Sequence, residues 1–336
     1  MKRTIPVLAT VAVASLTLAG CAAGPAAQAS GVSIVASTSV YGDIASSIVG
    51  DLGTVTSIIS DSAVDPHSFE ASARDQLAIA DADLVIANGG GYDPFVEALV
   101  EASGSKAIVI QAVDASGLLD HDDAADHDEA QTAEEPAADD DGHDDGSTDD
   151  GSTDDGGHAH IEGFNEHVWY SLHGMTHVIE NIADELGTID PANVSTFDAN
   201  AAALLAQVEE LESRESTLTT EFAGGGAAVT EPVPVYMLEA VGLENLTPSD
   251  FTEAIEEGND VPPLALEDTL ELFTSGGVRV LAYNEQTASP ETERVRQAAE
   301  ASGIPVVQFT ETLPQGADYI SWMSDNLDAL SAALQP

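Results

Sequence analysis

The sequence predicts an α/β protein built as two parallel-sheet lobes around a cleft and joined by one long helix. Three observations predict it. Short apolar, β-branched runs alternate with amphipathic helical patterns in two separate stretches of the chain, the signature of βαβ units and parallel sheets. Between them lies an unusually long run of helical periodicity. The length beyond the leader, roughly 300 residues, is enough for two domains of ordinary size.

The elements follow in order. Residues 1–20 (MKRTIPVLATVAVASLTLAG) place Lys2 and Arg3 before an apolar stretch too short to span a bilayer, as an export signal does. Its end, Leu18-Ala19-Gly20-Cys21, has the pattern of a bacterial lipobox, in which the cysteine is acylated and becomes the new N-terminus. Cys21 is the only cysteine, so no internal disulfide framework is available and stability must come from packed cores. Residues 21–31 are small and polar and suit a tether.

Order is expected from Val32. VSIVAST reads as a buried strand, VYGDIASSIVGD as a helix and TVTSIIS as a second strand; QLAIADA, ADLVIANG, PFVEALVEAS and KAIVIQAV continue the alternation. Residues 32–118, with 162–190, form the expected first lobe. Residues 119–161 interrupt it with almost nothing to bury and about seventeen acidic residues, the composition of a disordered insertion. A short helix, Met175 to Leu186, then precedes the linking helix of residues 191–222. There Phe197, Ala201, Leu204, Leu205, Val208, Leu211 and Leu218 follow helical spacing. Past the Gly224-Gly225-Gly226 run, residues 227–336 form the second lobe. Its strands are AAVTEP, VRVLAYNE and PVVQFTET, and its helices VYMLEAVG, LEDTLELFTSG, ETERVRQAAEASG and DYISWMSDNLDALSAAL, with Tyr319, Trp322 and Met323 on the core side of the last.

A formal charge of −52 argues against nucleic acid as a partner and favours cationic ligands. No strand is followed by a GxGxxG or GxxxxGK[ST] loop, so nucleotide binding has no support. An enzyme is not expected either, since a metal-dependent hydrolase would need a general base beside its ligands and no HExxH helix is present.

The residues left for chemistry are metal-ligand types. His67 follows a predicted strand in Asp65-Pro66-His67-Ser68-Phe69-Glu70, at the carboxyl end where open α/β sheets bind ligands. His167 lies in Glu166-His167-Val168-Trp169 ahead of a helix, with Trp169 expected beneath it. Five further histidines, His121, His127, His143, His158 and His160, are scattered among the aspartates of the insertion. They suit a weak metal-collecting role, the plain alternative being a solvated spacer. His173 and His177 share a helical spacing but read more simply as partly exposed residues.

The motifs Asp65-Pro66-His67 with Phe69 and Glu70, His167-Val168-Trp169, and Asp190-Pro191-Ala192-Asn193 together resemble the solute-binding lipoproteins of zinc and manganese ABC importers. The resemblance runs from about Val32 to the C-terminus apart from the insertion. It implies two Rossmann-like lobes joined by a rigid helix, with a metal between them held by His67 and His167. It further implies Glu231, at the start of a segment running to Gly242-Leu243, as third ligand, and Glu311, in Phe309-Thr310-Glu311-Thr312, as fourth. Val241 departs from the family's usual tyrosine. A strand-end carboxylate facing water is the plain alternative for either glutamate.

Two imidazoles with two carboxylates suit zinc, manganese and ferrous iron alike. Glu231 resembles the manganese type, whereas the histidines of the insertion resemble the zinc type. The resemblance therefore implies a monomeric metal-uptake binding protein, with zinc as the favoured cargo and manganese as the alternative. Its partners would be an ABC permease and ATPase, and acylated Cys21 would anchor it on the outer face of the cell membrane. Some relatives of this family carry the label of surface adhesin.

Overall fold

The predicted alternation is realised twice in the computed structural model, whose described residues are 31–119 and 161–335 except 63, 65, 162 and 223. The first sheet contains β1 (Val32–Thr38), β2 (Gly53–Ile59), β3 (Leu84–Ala87) and β4 (Ile108–Gln111), all parallel, in the order β2-β1-β3-β4. β1 is central, and Val32, Ile34, Val35 and Ala36 are all buried, so both of its faces are covered as parallel sheets require. The covering helices are α1 (Ser39–Val49), α2 (Ala73–Ala80), α3 (Pro94–Ser103) and α4 (Ala112–Ser116). Local chemistry sets their ends. Ser72 and Asp75 form a reciprocal capping box on α2, and α3 begins with proline in its first turn and stops at left-handed Gly104.

The two helices between the sheets are longer and shorter, respectively, than their sequence patterns suggested. α5 runs over Leu172–Ile189 because the Ser171 side chain caps it by accepting from Gly174 N, three residues before the first expected position. α6 (Val194–Phe222) starts only after Asn193, whose amide donates to Asp190 in the turn that separates the helices. At about 1.5 Å per residue α6 covers roughly 44 Å. Its buried stripe is Phe197, Ala201, Leu204, Val208, Leu211 and Leu218, with Leu205 only partly covered.

The second sheet is β5 (Gly226–Val229), β6 (Glu244–Asn245), β7 (Val278–Asn284) and β8 (Val306–Phe309), parallel and ordered β6-β5-β7-β8. This is the order of the first sheet repeated. Its helices are α7 (Val235–Ala240), α8 (Ser249–Glu256), α9 (Pro263–Ser275), α10 (Pro290–Ala301) and α11 (Tyr319–Leu334). β6 and α8 have no counterpart in the sequence reading. β6 is two residues long and α8 only eight.

One apolar core is continuous through both halves. It takes in Ile34 and Tyr41 from the first, Trp169, Phe197 and Val208 from the middle, and Val229, Phe309, Tyr319, Trp322 and Met323 from the second. Smaller clusters fill the outer faces of each sheet. Among the described residues no helix is long and apolar enough to cross a membrane.

Candidate metal centre

The polar residues that gather between the sheets sit at the carboxyl ends of parallel strands or just past them. His67 follows β2, Glu231 follows β5, Asn284 ends β7 and Glu311 follows β8. Parallel strands leave unpaired backbone groups and open loops at that end, which is where α/β sheets assemble sites. His167 arrives differently, immediately before a single 3₁₀ turn (Val168–Tyr170) that leads into α5.

Both imidazoles are buried, His167 completely and His67 to within 8 %. Asn165 Oδ1 lies 2.8 Å from His167 Nδ1 and also accepts from the His167 backbone N–H. An amide oxygen only accepts, so Nδ1 carries the hydrogen and Nε2 presents its lone pair to the cluster, the tautomer a metal needs. Asn165 is itself held by the second half, donating to Pro232 O and accepting at its backbone oxygen from Tyr236. His167 packs edge-on to Trp169 as the sequence suggested, with ring centroids 5.1 Å apart.

His67 stands edge-on to Tyr92, at 4.9 Å. Tyr92 was not anticipated. It follows Gly89, Gly90 and Gly91, which all have positive φ, so the chain leaving β3 turns sharply enough to drive the tyrosine into the site. A Cβ at Gly90 would crowd Val113 and Glu166 at 3.0 and 3.3 Å. The Tyr92 hydroxyl donates to Glu311 Oε2, and burial, with the Glu311 charge beside it, pushes its pKa well above that of a free tyrosine.

The carboxylates are aligned by amides. Asn284 Nδ2 donates to Glu231 Oε2 at 2.6 Å and to Glu311 Oε1 at 2.8 Å, while its Oδ1 accepts from Gln286 N, which fixes the amide's orientation. The Gln286 side chain accepts from Glu311 N and donates to Val64 O, so one residue ties Glu311 to the loop carrying His67.

His67, His167 and Glu311 each offer a donor atom, all within 4.8 Å of one another. His67 Nε2 is 3.6 Å from Glu311 Oε2. In a tetrahedral zinc site with bonds near 2.0–2.1 Å, donors stand roughly 3.4 Å apart, so this spacing needs little adjustment. Glu231 joins the assembly through Asn284.

A further carboxylate, absent from the sequence reading, enters from α8: Glu256 Oε1 lies 3.6 Å from His167 Nε2 and 3.9 Å from His67 Nε2. Glu256, Glu166 and His67 form a second group of converging donors. Burial, augmented by the charges of Glu166, Glu231 and Glu311, pushes the Glu256 carboxyl up to about 10. It shares the buried side of α8 with Thr252, and no local motif marks it in the sequence.

Of the remaining candidates, His173 and His177 lie on α5 with side chains 70 % and 48 % exposed, away from this cluster. Cys21, His121, His127, His143, His158 and His160 lie outside the described residues.

Residues 34–333 match the profile of the family described as zinc-uptake complex component A, periplasmic (ZnuA). The chain belongs to the ZnuA family. Among its relatives, the manganese-binding lipoprotein MntA of Halalkalibacterium halodurans is 24% identical over 278 residues, covering 77% of this chain and 80% of the relative. The zinc-binding protein AdcA of Streptococcus pyogenes is 26% identical over 293 residues, covering 84% of this chain and 52% of the relative, so the chain spans about half of AdcA. The fold is that of the periplasmic zinc binding protein TroA from Treponema pallidum. The two superpose with a TM-score of 0.67 at 15% identity, over 90% of this chain and 99% of TroA. The ZnuA family is a substrate-binding component of transporters and not an enzyme family.

Proposed function

We propose that the chain captures a divalent transition metal outside the cytoplasmic membrane and passes it to an ABC permease, with zinc as its cargo and manganese as the alternative. The observation that carries this reading is the convergence of two buried imidazoles and Glu311 within 4.8 Å. Neutral imidazole and ionised carboxylate donors neutralise a divalent ion in an enclosed site, where an unpaired charge would be costly. His67, His167, Glu231 and Glu311 form the proposed binding set, and membership of the ZnuA family supports it.

Raw affinity should favour zinc, because Mn²⁺ stands lowest in the Irving–Williams order. The manganese alternative draws support from Glu231 at the third position and from the relative MntA, a manganese-binding lipoprotein. Metal analysis of the purified mature protein, with zinc competed against manganese, tests the reading. One zinc per chain, displaced poorly by manganese, is expected, and a protein that holds no transition metal would overturn it. Growth of a deletion strain rescued by manganese but not by zinc would transfer the cargo to manganese.

Acylation at Cys21 is part of the same proposal. Cys21→Ala should move the protein from the membrane fraction to the soluble one, and unchanged membrane retention would count against a lipid anchor.

A further inference from the structure

We infer that Glu256 is itself a ligand of the transported ion, supplied by α8, and the side chain that must withdraw for the ion to leave. The inference rests on the metal-capture reading and goes beyond its ligand set, in which Glu256 has no place.

Three observations carry it. First, Glu256 Oε1 faces both imidazoles, 3.6 Å from His167 Nε2 and 3.9 Å from His67 Nε2, within a few tenths of an ångström of the spacing of neighbouring donors on one ion. Second, that oxygen is buried and accepts no hydrogen bond. A buried carboxylate oxygen without a donor, aimed at two imidazole nitrogens, is placed as a cation's ligand would be.

Third, Glu256 forms part of the wall of two separate clefts. One, of about 490 Å³, runs past Asn165, Glu166, Pro232 and Thr252; the other, of about 330 Å³, runs past Gly258, Thr287 and Ser289. The side chain therefore faces the imidazoles and lines both of these clefts. It is the last residue of α8, and the turn beyond it contains Gly258 at φ 65°, so the chain that carries it reverses within two residues.

A third carboxylate also changes what the site prefers. With Glu231 and Glu311 it makes the donor set richer in oxygen than in nitrogen, which suits ions that accept more than four ligands better than a four-donor set would.

The test uses the full mature chain with Glu256→Gln and Glu256→Ala, and Glu257→Gln as a neighbouring control. Zinc and manganese affinities are measured by chelator competition and release by stopped-flow mixing with excess chelator. X-ray absorption of the zinc-loaded protein counts nitrogen and oxygen neighbours. Both Glu256 variants should bind zinc at least about 10-fold more weakly, release it faster and lose one oxygen neighbour, with manganese weakened more than zinc. Glu257→Gln should match the wild type. Because glutamine is nearly isosteric, thermal melting of the metal-free variant should overlay the wild type; if it does not, the oxygen count of the wild-type protein decides, and a count without a third carboxylate oxygen overturns the inference. Wild-type affinity and release in Glu256→Gln also overturn it. If His67→Ala loses metal while Glu256→Gln does not, only Glu256 fails; if the wild type binds none, the capture reading fails with it.

Discussion

The two halves of the molecule repeat one strand order, β2-β1-β3-β4 and β6-β5-β7-β8, yet contribute opposite chemistry to the space between them. The first half and the turn before α5 bring both imidazoles, packed among the rings of Tyr92 and Trp169. The second brings Glu231 and Glu311, aligned by Asn284 and Gln286, and Glu256 from α8. Neither half alone carries a balanced donor set. The nitrogen side packs its imidazoles against aromatic edges and adds Glu166 as its own carboxylate, whereas the other side gathers carboxylates, two of them held by donated hydrogen bonds. A divalent ion satisfies both, so binding should also stabilise the junction of the two halves.

Removing the nitrogen side should have the largest effect. His67→Ala and His167→Ala should each abolish tight metal binding, a loss of at least about 100-fold by calorimetry, while the sheets stay folded. His67 sits on a loop and His167 before a turn, so neither interrupts a strand or helix. Equal affinity in the wild type and both variants would remove the imidazoles from the site.

On the oxygen side the weakest link is the shared amide. Asn284→Ala takes away the donor that Glu231 and Glu311 have in common and leaves two carboxylates facing each other in a buried place. Metal affinity should fall about 10- to 100-fold, as losses of ligand-orienting partners do. The metal-free protein should lose about 1–3 kcal/mol in denaturant unfolding. An unchanged affinity would mean that the carboxylates orient themselves.

A smaller change swaps one donor type across the divide. Glu231→His puts a third imidazole among the donors, and softer nitrogen favours zinc over manganese. Zinc affinity should hold or rise while manganese weakens several-fold in the same competition assay. Loss of both metals would show that Glu231 is needed for its charge or for its bond to Asn284 rather than as an exchangeable donor.

Much of this division was legible beforehand, and what escaped has a physical reason. Parallel strands advertise themselves through apolar β-branched runs, and β1, β3, β7 and β8 all fall on such runs. His67, His167 and Glu311 could be picked out because each follows a strand or precedes a helix within a recognisable motif. Tyr92 and Glu256 could not. Tyr92 reaches Glu311 across 219 residues, and the turn that aims it is written only as three glycines. Glu256 stands in a short helix without a ligand motif, and its approach to His67 and His167 is made by the opposite half of the molecule. Such contacts are made by tertiary packing, about which local periodicity is silent.

A buried carboxyl with no imidazole to face shows whether those of the metal site are exceptional. Glu215 lies on the buried stripe of α6, 7 % exposed, and its Oε1 makes no hydrogen bond. Burial, with Glu212 one turn earlier as the lesser cause, raises its pKa from 4.5 to about 8. Tyr319 from α11 is the other titrating group near it, and its hydroxyl donates instead to Trp169 O. A folded-state pKa above the unfolded value means that the folded protein holds a proton which the unfolded chain gives up between about pH 4.5 and 8. Stability should therefore fall as pH rises through that window and level off above it. Glu215→Gln keeps the shape but cannot ionise, so the variant and the wild type should melt together near pH 5. By pH 9 the variant should melt higher by roughly several degrees. Melting the metal-free proteins in parallel across this range gives the answer, and curves that stay parallel would mean that Glu215 is not held neutral by its surroundings. Because the site lies elsewhere, metal affinity at a fixed pH should not change in this variant, which separates the cost of burying a carboxyl from its use.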